Sequence, residues 1–145
     1  MFFIQKTNFE QIFSAPFLIE LLLVEIGSAP EHDLFFRLHF DGSFHSQAGG
    51  IVIAASQPDA ESAAQKWLCE AVKGKTSHNE IADLLLQAWW CLTANKSFES
   101  VPSEEERRKG WRESTQGKTV ELGWLARKTS RLARYEPLTL AELDL

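Results

Sequence analysis

His39-Phe-Asp-Gly-Ser-Phe-His-Ser-Gln-Ala-Gly-Gly-Ile-Val-Ile-Ala-Ala-Ser56 is the stretch on which the fold turns. Upstream, Leu34, Phe36, Leu38 and Phe40 alternate with Arg37, His39 and Asp41, the period of a strand with unlike faces. Asp41-Gly42 is a turn dipeptide. Downstream, Gly50 to Ser56 is almost wholly apolar, as in a strand covered on both sides. Together with an earlier strand over Phe17 to Ile26 and a Gly27–Pro30 turn, this predicts a three-strand meander.

Past Ser56 the period changes from two to 3.6. Pro58 and Asp59 open a helix in which Ala60, Ala63, Ala64, Trp67, Leu68, Ala71 and Val72 share one face, and Gly74 closes it. A second helix runs from Ser77 to about Asn95, with Ile81, Leu84, Leu85, Ala88 and Leu92 inward. A third spans Ser103 to about Ser114, and a fourth Thr119 to Tyr135, burying Leu122, Leu125 and Leu132. Four capping-box patterns start at Thr7, Ser77, Ser103 and Thr139, each with Glu three residues on. The Thr7 box opens a short helix before Pro16, and the Thr139 box one final helical turn after Pro137. The fold class is α+β: a small three-stranded antiparallel sheet followed by a layer of about four helices. Residues 1–145 read as one domain, strand-rich over 1–57 and helical over 58–145.

Composition narrows the function classes. Residues 1–100 carry six Lys/Arg against twelve Asp/Glu, whereas residues 101–145 carry nine against eight. An acidic body disfavours indiscriminate binding to nucleic acid. The N-terminus lacks the pattern of a signal peptide, and no run reaches the ~20 apolar residues of a membrane span. Cys69 and Cys91 lie in apolar helical segments and read as buried hydrophobes. The expectation is a cytoplasmic protein with no cofactor and no membrane partner.

Three groups of residues are candidates for a site. His39, Asp41 and His45 surround the turn and are types that zinc accepts, which makes them metal-site candidates. Arg127, Arg131 and Arg134 recur at i, i+4, i+7 and form with Lys128 a basic stripe suited to phosphate. Trp90, Trp111, Trp124 and Tyr135 are aromatic, near Arg, and of the kind that protein interfaces enrich. By contrast Arg107 to Lys109 are expected to pair with Glu104 and Glu105.

Asp41-Gly-Ser43, Gly49-Gly50 and Asn79-Glu80 together resemble the opening of ribonuclease H. That resemblance implies Asp41 and Glu80 as carboxylates for paired Mg²⁺ ions. It covers about a third of the chain. Beyond it no Asp occurs between Asp83 and Asp144, and Pro58 to Lys73 has helical periodicity where the family has a strand. The reading placed first is therefore a non-enzymatic domain that binds another protein, with an inhibitor, immunity or anti-defence protein as its sub-class. A nucleic-acid-associated protein is the alternative, and a metal-dependent phosphodiesterase ranks third.

Overall fold

The computed structural model describes residues 19–53, 58–128 and 134–143. Strands β1 (Leu21–Glu25), β2 (Leu34–Leu38) and β3 (Phe44–Gln47) form an antiparallel meander in the order β1-β2-β3. Three helices follow: α1 (Pro58–Ala71), α2 (His78–Thr93) and α3 (Glu104–Thr115). A second sheet, the hairpin of β4 (Leu122–Leu125) and β5 (Tyr135–Leu138), ends the described chain. The α+β class predicted from the sequence is the one observed.

Two local expectations are corrected. The third strand is Phe44–Gln47, and residues 50–53 are irregular. The Asp41-Gly42 turn forms where the sequence places it, and it is tight. His39 N–H donates to Ser43 O at 2.9 Å and Gly42 N–H to His39 O at 3.0 Å. Gly42 takes φ +86°, so the chain reverses at once and pairing resumes at Phe44. The expected fourth helix is not found among the described residues of 119–135: β4 covers Leu122–Leu125, β5 starts at Tyr135, and the other described positions are irregular. Gly123 sits opposite Pro137, two residues that weaken a helix, and a side chain on Gly123 would collide with the Tyr135 ring. The Thr7 box, residues 54–56 of the expected apolar strand, and Arg131 and Leu132 lie outside the described residues.

Helix ends follow their local chemistry. Ser103 Oγ accepts from Glu106 N–H at 3.2 Å, and three Glu occupy the first turn of α3, where the dipole favours negative charge. Ser77 makes no such side-chain bond, and Glu80 turns instead to Lys75. At the far end of α2, Asn95 adopts φ +52°, Lys96 N–H reaches Cys91 O at 2.8 Å, and Asn95 N–H reaches Leu92 O at 3.2 Å. That is a Schellman closure with Asn in the left-handed position. The Thr139 box forms in full, but on a turn rather than a helix.

The core lies between helices. Ala64 of α1, Ala82, Leu86, Ala88 and Cys91 of α2, and Trp111 of α3 are buried. The buried stripe of α2 is thus rotated from the predicted one: Leu85 is exposed, while Asp83 and Gln87 are inside. The polar pair belongs there because α3 supplies its partners. Asp83 accepts from Gln87 at 2.8 Å, from Arg108 Nε at 2.8 Å and from the Trp111 indole N–H at 3.0 Å. Gln87 in turn accepts from Arg107 Nε at 2.7 Å. Buried polar groups are tolerated when so satisfied. Arg107 and Arg108 therefore reach across to α2, although Arg108 keeps its expected partner Glu104 at 3.0 Å. Lys109 pairs with Glu113 rather than Glu105.

Register fixes which side chains share each face of the meander. Leu22, Val24, Phe35, Arg37, His45 and Gln47 lie on one face; Leu21, Leu23, Leu34, Phe36, Leu38 and Phe44 on the other. The first face looks toward α1, because Arg37 bonds Glu61 there at 2.6 Å. No helix among the described residues is long and apolar enough to cross a membrane.

Candidate functional site

The turn at His39, Asp41 and His45 assembles differently from a metal cage. Asp41 Oδ1 accepts from Ser43 N–H at 2.9 Å and from Ser43 Oγ at 2.7 Å, which closes its own turn. Those bonds hold the Asp41 carboxyl below the usual range. His39 turns to Glu20, with Nδ1 to Oε1 at 3.1 Å. Since a carboxylate only accepts, that contact puts a proton on Nδ1. The His45 ring meets the His39 ring edge-on at 5.4 Å. Among the described residues, no group of three or more His, Cys, Asp or Glu is placed to hold a metal ion. The geometry thus brings together two of the three predicted residues and replaces Asp41 with Glu20.

Glu20 belongs to a cluster that sequence reading missed. Arg37 bridges Glu20 at 2.8 Å and Glu61 at 2.6 Å, tying the strands to α1. The Arg37 hydrogen bond holds the Glu20 carboxyl below its ordinary range, against desolvation. The bond to Glu61 raises the Arg37 guanidinium further. Arg37 sits on the expected polar face of β2, but that face is turned inward. The cluster is a clasp in which two carboxylates surround one guanidinium. Glu80, the second carboxylate implied by the ribonuclease H resemblance, bonds Lys75 at 2.8 Å. Asp41 and Glu80 are thus each committed to a different neighbour.

Of the basic stripe, Arg127 and Lys128 lie in an irregular stretch after β4, and Arg134 stands just before β5. Arg127 Nη2 bonds Asp33 Oδ2 at 2.6 Å, and its Nη1 donates to Gly27 O. Asp33 Oδ1 also accepts from Gly27 N–H at 2.9 Å. The Arg127 bond, with help from that amide, holds the Asp33 carboxyl low. Arg127 is therefore a clamp between the hairpin and the β1–β2 connection. Lys128 and Arg134 are exposed on either side of the undescribed stretch that contains Arg131.

The four aromatic candidates have four different surroundings. Trp111 is only 2% exposed and belongs to the core, so it offers no surface. Trp90 is half-buried over Gly110, where a Cβ would overlap the indole, and Lys96 lies 5.5 Å from its ring. Trp124 is half-buried against the His78 ring at 3.9 Å. Tyr135, 57% exposed, remains at the surface beside Gly123.

The largest unexpected feature is β1. Leu22, Leu23 and Val24 are all exposed, on both faces of a strand that ends its sheet among the described residues. Leu23, Leu34 and Phe44 share the outer face, and Phe44 is 67% exposed. The signal was present as the run Leu21-Leu-Leu-Val24, which reads equally well as core.

No protein-family model matches this chain, and no curated protein or solved structure matches it.

Proposed function

We propose that this chain is a non-enzymatic protein-binding domain that takes up an extended apolar segment of another protein along β1. One observation carries the reading: a terminal strand with Leu22, Leu23 and Val24 all exposed. Edge strands invite pairing, and proteins that must avoid it place Lys, Pro or a bulge there. β1 has none of these; its single charge is Glu25 at one end. An added strand gains main-chain hydrogen bonds from the edge and specificity from alternate side chains. Leu23 and Phe44 extend the apolar contact on the outer face. Exposed Glu25 ends the strand and exposed Glu31 follows in the β1–β2 connection, so a partner segment carrying Lys or Arg at that end fits best. An inhibitor or immunity protein acting by surface occlusion is the sub-class that suits this mode of action. The nucleic-acid alternative has no comparable support, because Arg127 is engaged with Asp33.

The test is a complex isolated from native extract and followed by amide hydrogen exchange. Protection of Leu21–Glu25 on binding, and loss of the complex on Leu23→Lys, support the reading. A complex that survives Leu23→Lys with unchanged exchange in β1 sinks it.

A further inference from the structure

On the opposite side of the sheet lies a cavity of about 570 Å³ between β2, α1, α2 and β4. Its apolar wall is built by Phe35, Leu68, Val72, Ile81, Leu85 and Trp124. The volume falls in the range of small-molecule sites, which are mostly apolar with a few polar groups that orient the ligand. Ile81 and Leu85 explain why the buried stripe of α2 is rotated: they face this space rather than the core.

The polar groups of the lining are not equivalent. Asp33 is occupied by Arg127 at 2.6 Å and by the Gly27 amide at 2.9 Å. Lys75 bonds Glu80 at 2.8 Å, with weaker attraction from Glu104, and the Lys75 and Glu80 side chains are nearly half exposed. Exposed ion pairs of this kind contribute little and exchange partners readily. Bonding to Glu80 raises the Lys75 ammonium, so it carries its charge at neutral pH. The lining thus presents one neutralised carboxylate and one exchangeable cation beside an apolar wall.

We propose that this cavity binds a small amphiphilic anion, an aliphatic or aromatic carboxylic acid whose tail lies against Phe35, Val72 and Trp124 and whose carboxylate meets Lys75. The site is separate from the docking strand. No residue of β1 lines the cavity, although Val24 pairs with Phe35 on the same face, and the two assignments are tested by different readouts.

Cys69 supplies a direct readout. Its thiol lines the cavity, 3.6 Å from Gly49 O, and is partly accessible. Cys91 is buried, and burial pushes its thiol up, so it stays inert to alkylation. Iodoacetamide therefore labels the wild-type protein at Cys69, and mass spectrometry follows the rate. Saturating decanoate is expected to slow that labelling at least tenfold. Across octanoate, decanoate and dodecanoate, binding tightens by about fourfold per added methylene. Lys75→Met weakens decanoate by about fivefold and leaves decanol unchanged. Labelling indifferent to all three acids overturns the cavity as a site. Equal binding of decanol and decanoate, insensitive to Lys75→Met, overturns the carboxylate assignment.

Discussion

The indole N–H of Trp111 donates to Asp83 Oδ1 at 3.0 Å, across the interface of α2 and α3, with both residues buried. Asp83 is the shared acceptor for three donors from two helices. Its removal takes the acceptor from the buried Trp111 indole and the Gln87 amide, while half-exposed Arg108 keeps Glu104. Asp83→Ala is expected to cost about 3 kcal/mol. Trp111→Phe keeps the ring and loses one bond, at about 1 kcal/mol. Urea unfolding of both single variants and the double variant measures the coupling. Additive losses would show that Asp83 and Trp111 are energetically independent.

Gly110→Ala sets two effects against each other. Within α3, Ala is the better helix former by about 1 kcal/mol. However, a Cβ at Gly110 overlaps the Trp90 indole, and overpacking costs about 1–3 kcal/mol. The steric effect wins, so the variant melts lower than wild type. Trp90→Leu in the same background relieves the overlap and recovers part of the loss, as seen by thermal melts.

Acid weakens the fold through Glu20 and Asp33. Both carboxyls are depressed in the folded state, by Arg37 and Arg127 respectively. Their contribution is complete above the unfolded carboxylate pKa of about 4 and is lost as pH falls through the lower folded value. The melting temperature therefore falls with pH below about 4. Asp33→Asn removes one of the two groups and flattens that acid limb. An acid limb unchanged in this variant would mean that the Arg127 clamp adds nothing to stability.

Leu23→Lys separates binding from folding. Leu23 is 54% exposed, and surface substitutions stay within about 0.5 kcal/mol. The variant is expected to unfold like wild type while losing capture of an extended apolar partner. A large stability loss would show instead that Leu23 is covered within the protein.

The helices were legible because their signals are local. Ala64 and its neighbours keep a 3.6 period without interruption, and Ser103 and Asn95 mark ends by their own hydrogen bonds. β3 was hidden because Phe44-His-Ser-Gln47 carries one apolar residue, while the more apolar Ile51-Val-Ile53 drew the assignment next door. Leu122 and Leu125 imitate helical spacing at i, i+3, and only Gly123 and Pro137 spoke for a hairpin. The partners of Asp83 lie 25 and 28 residues away on another helix. No periodicity reports such a pairing; a lone Asp inside an apolar helix was its only trace. Likewise, spacing placed Arg37, His39 and Asp41 on one strand face, but only the Arg37–Glu61 bond shows that this face turns toward α1.

The Arg127 clamp also sets an order of events for the newly made chain. Its bonds to Asp33 and Gly27 span 94 and 100 residues, whereas the α2–α3 network closes loops of at most 28. The entropy of closing a loop grows with its length, so the helical pair assembles early and the clamp late. Until residue 127 is in place, the connection between β1 and β2 has no partner from the far end of the chain. The meander therefore waits for its last tie while the helices are already packed.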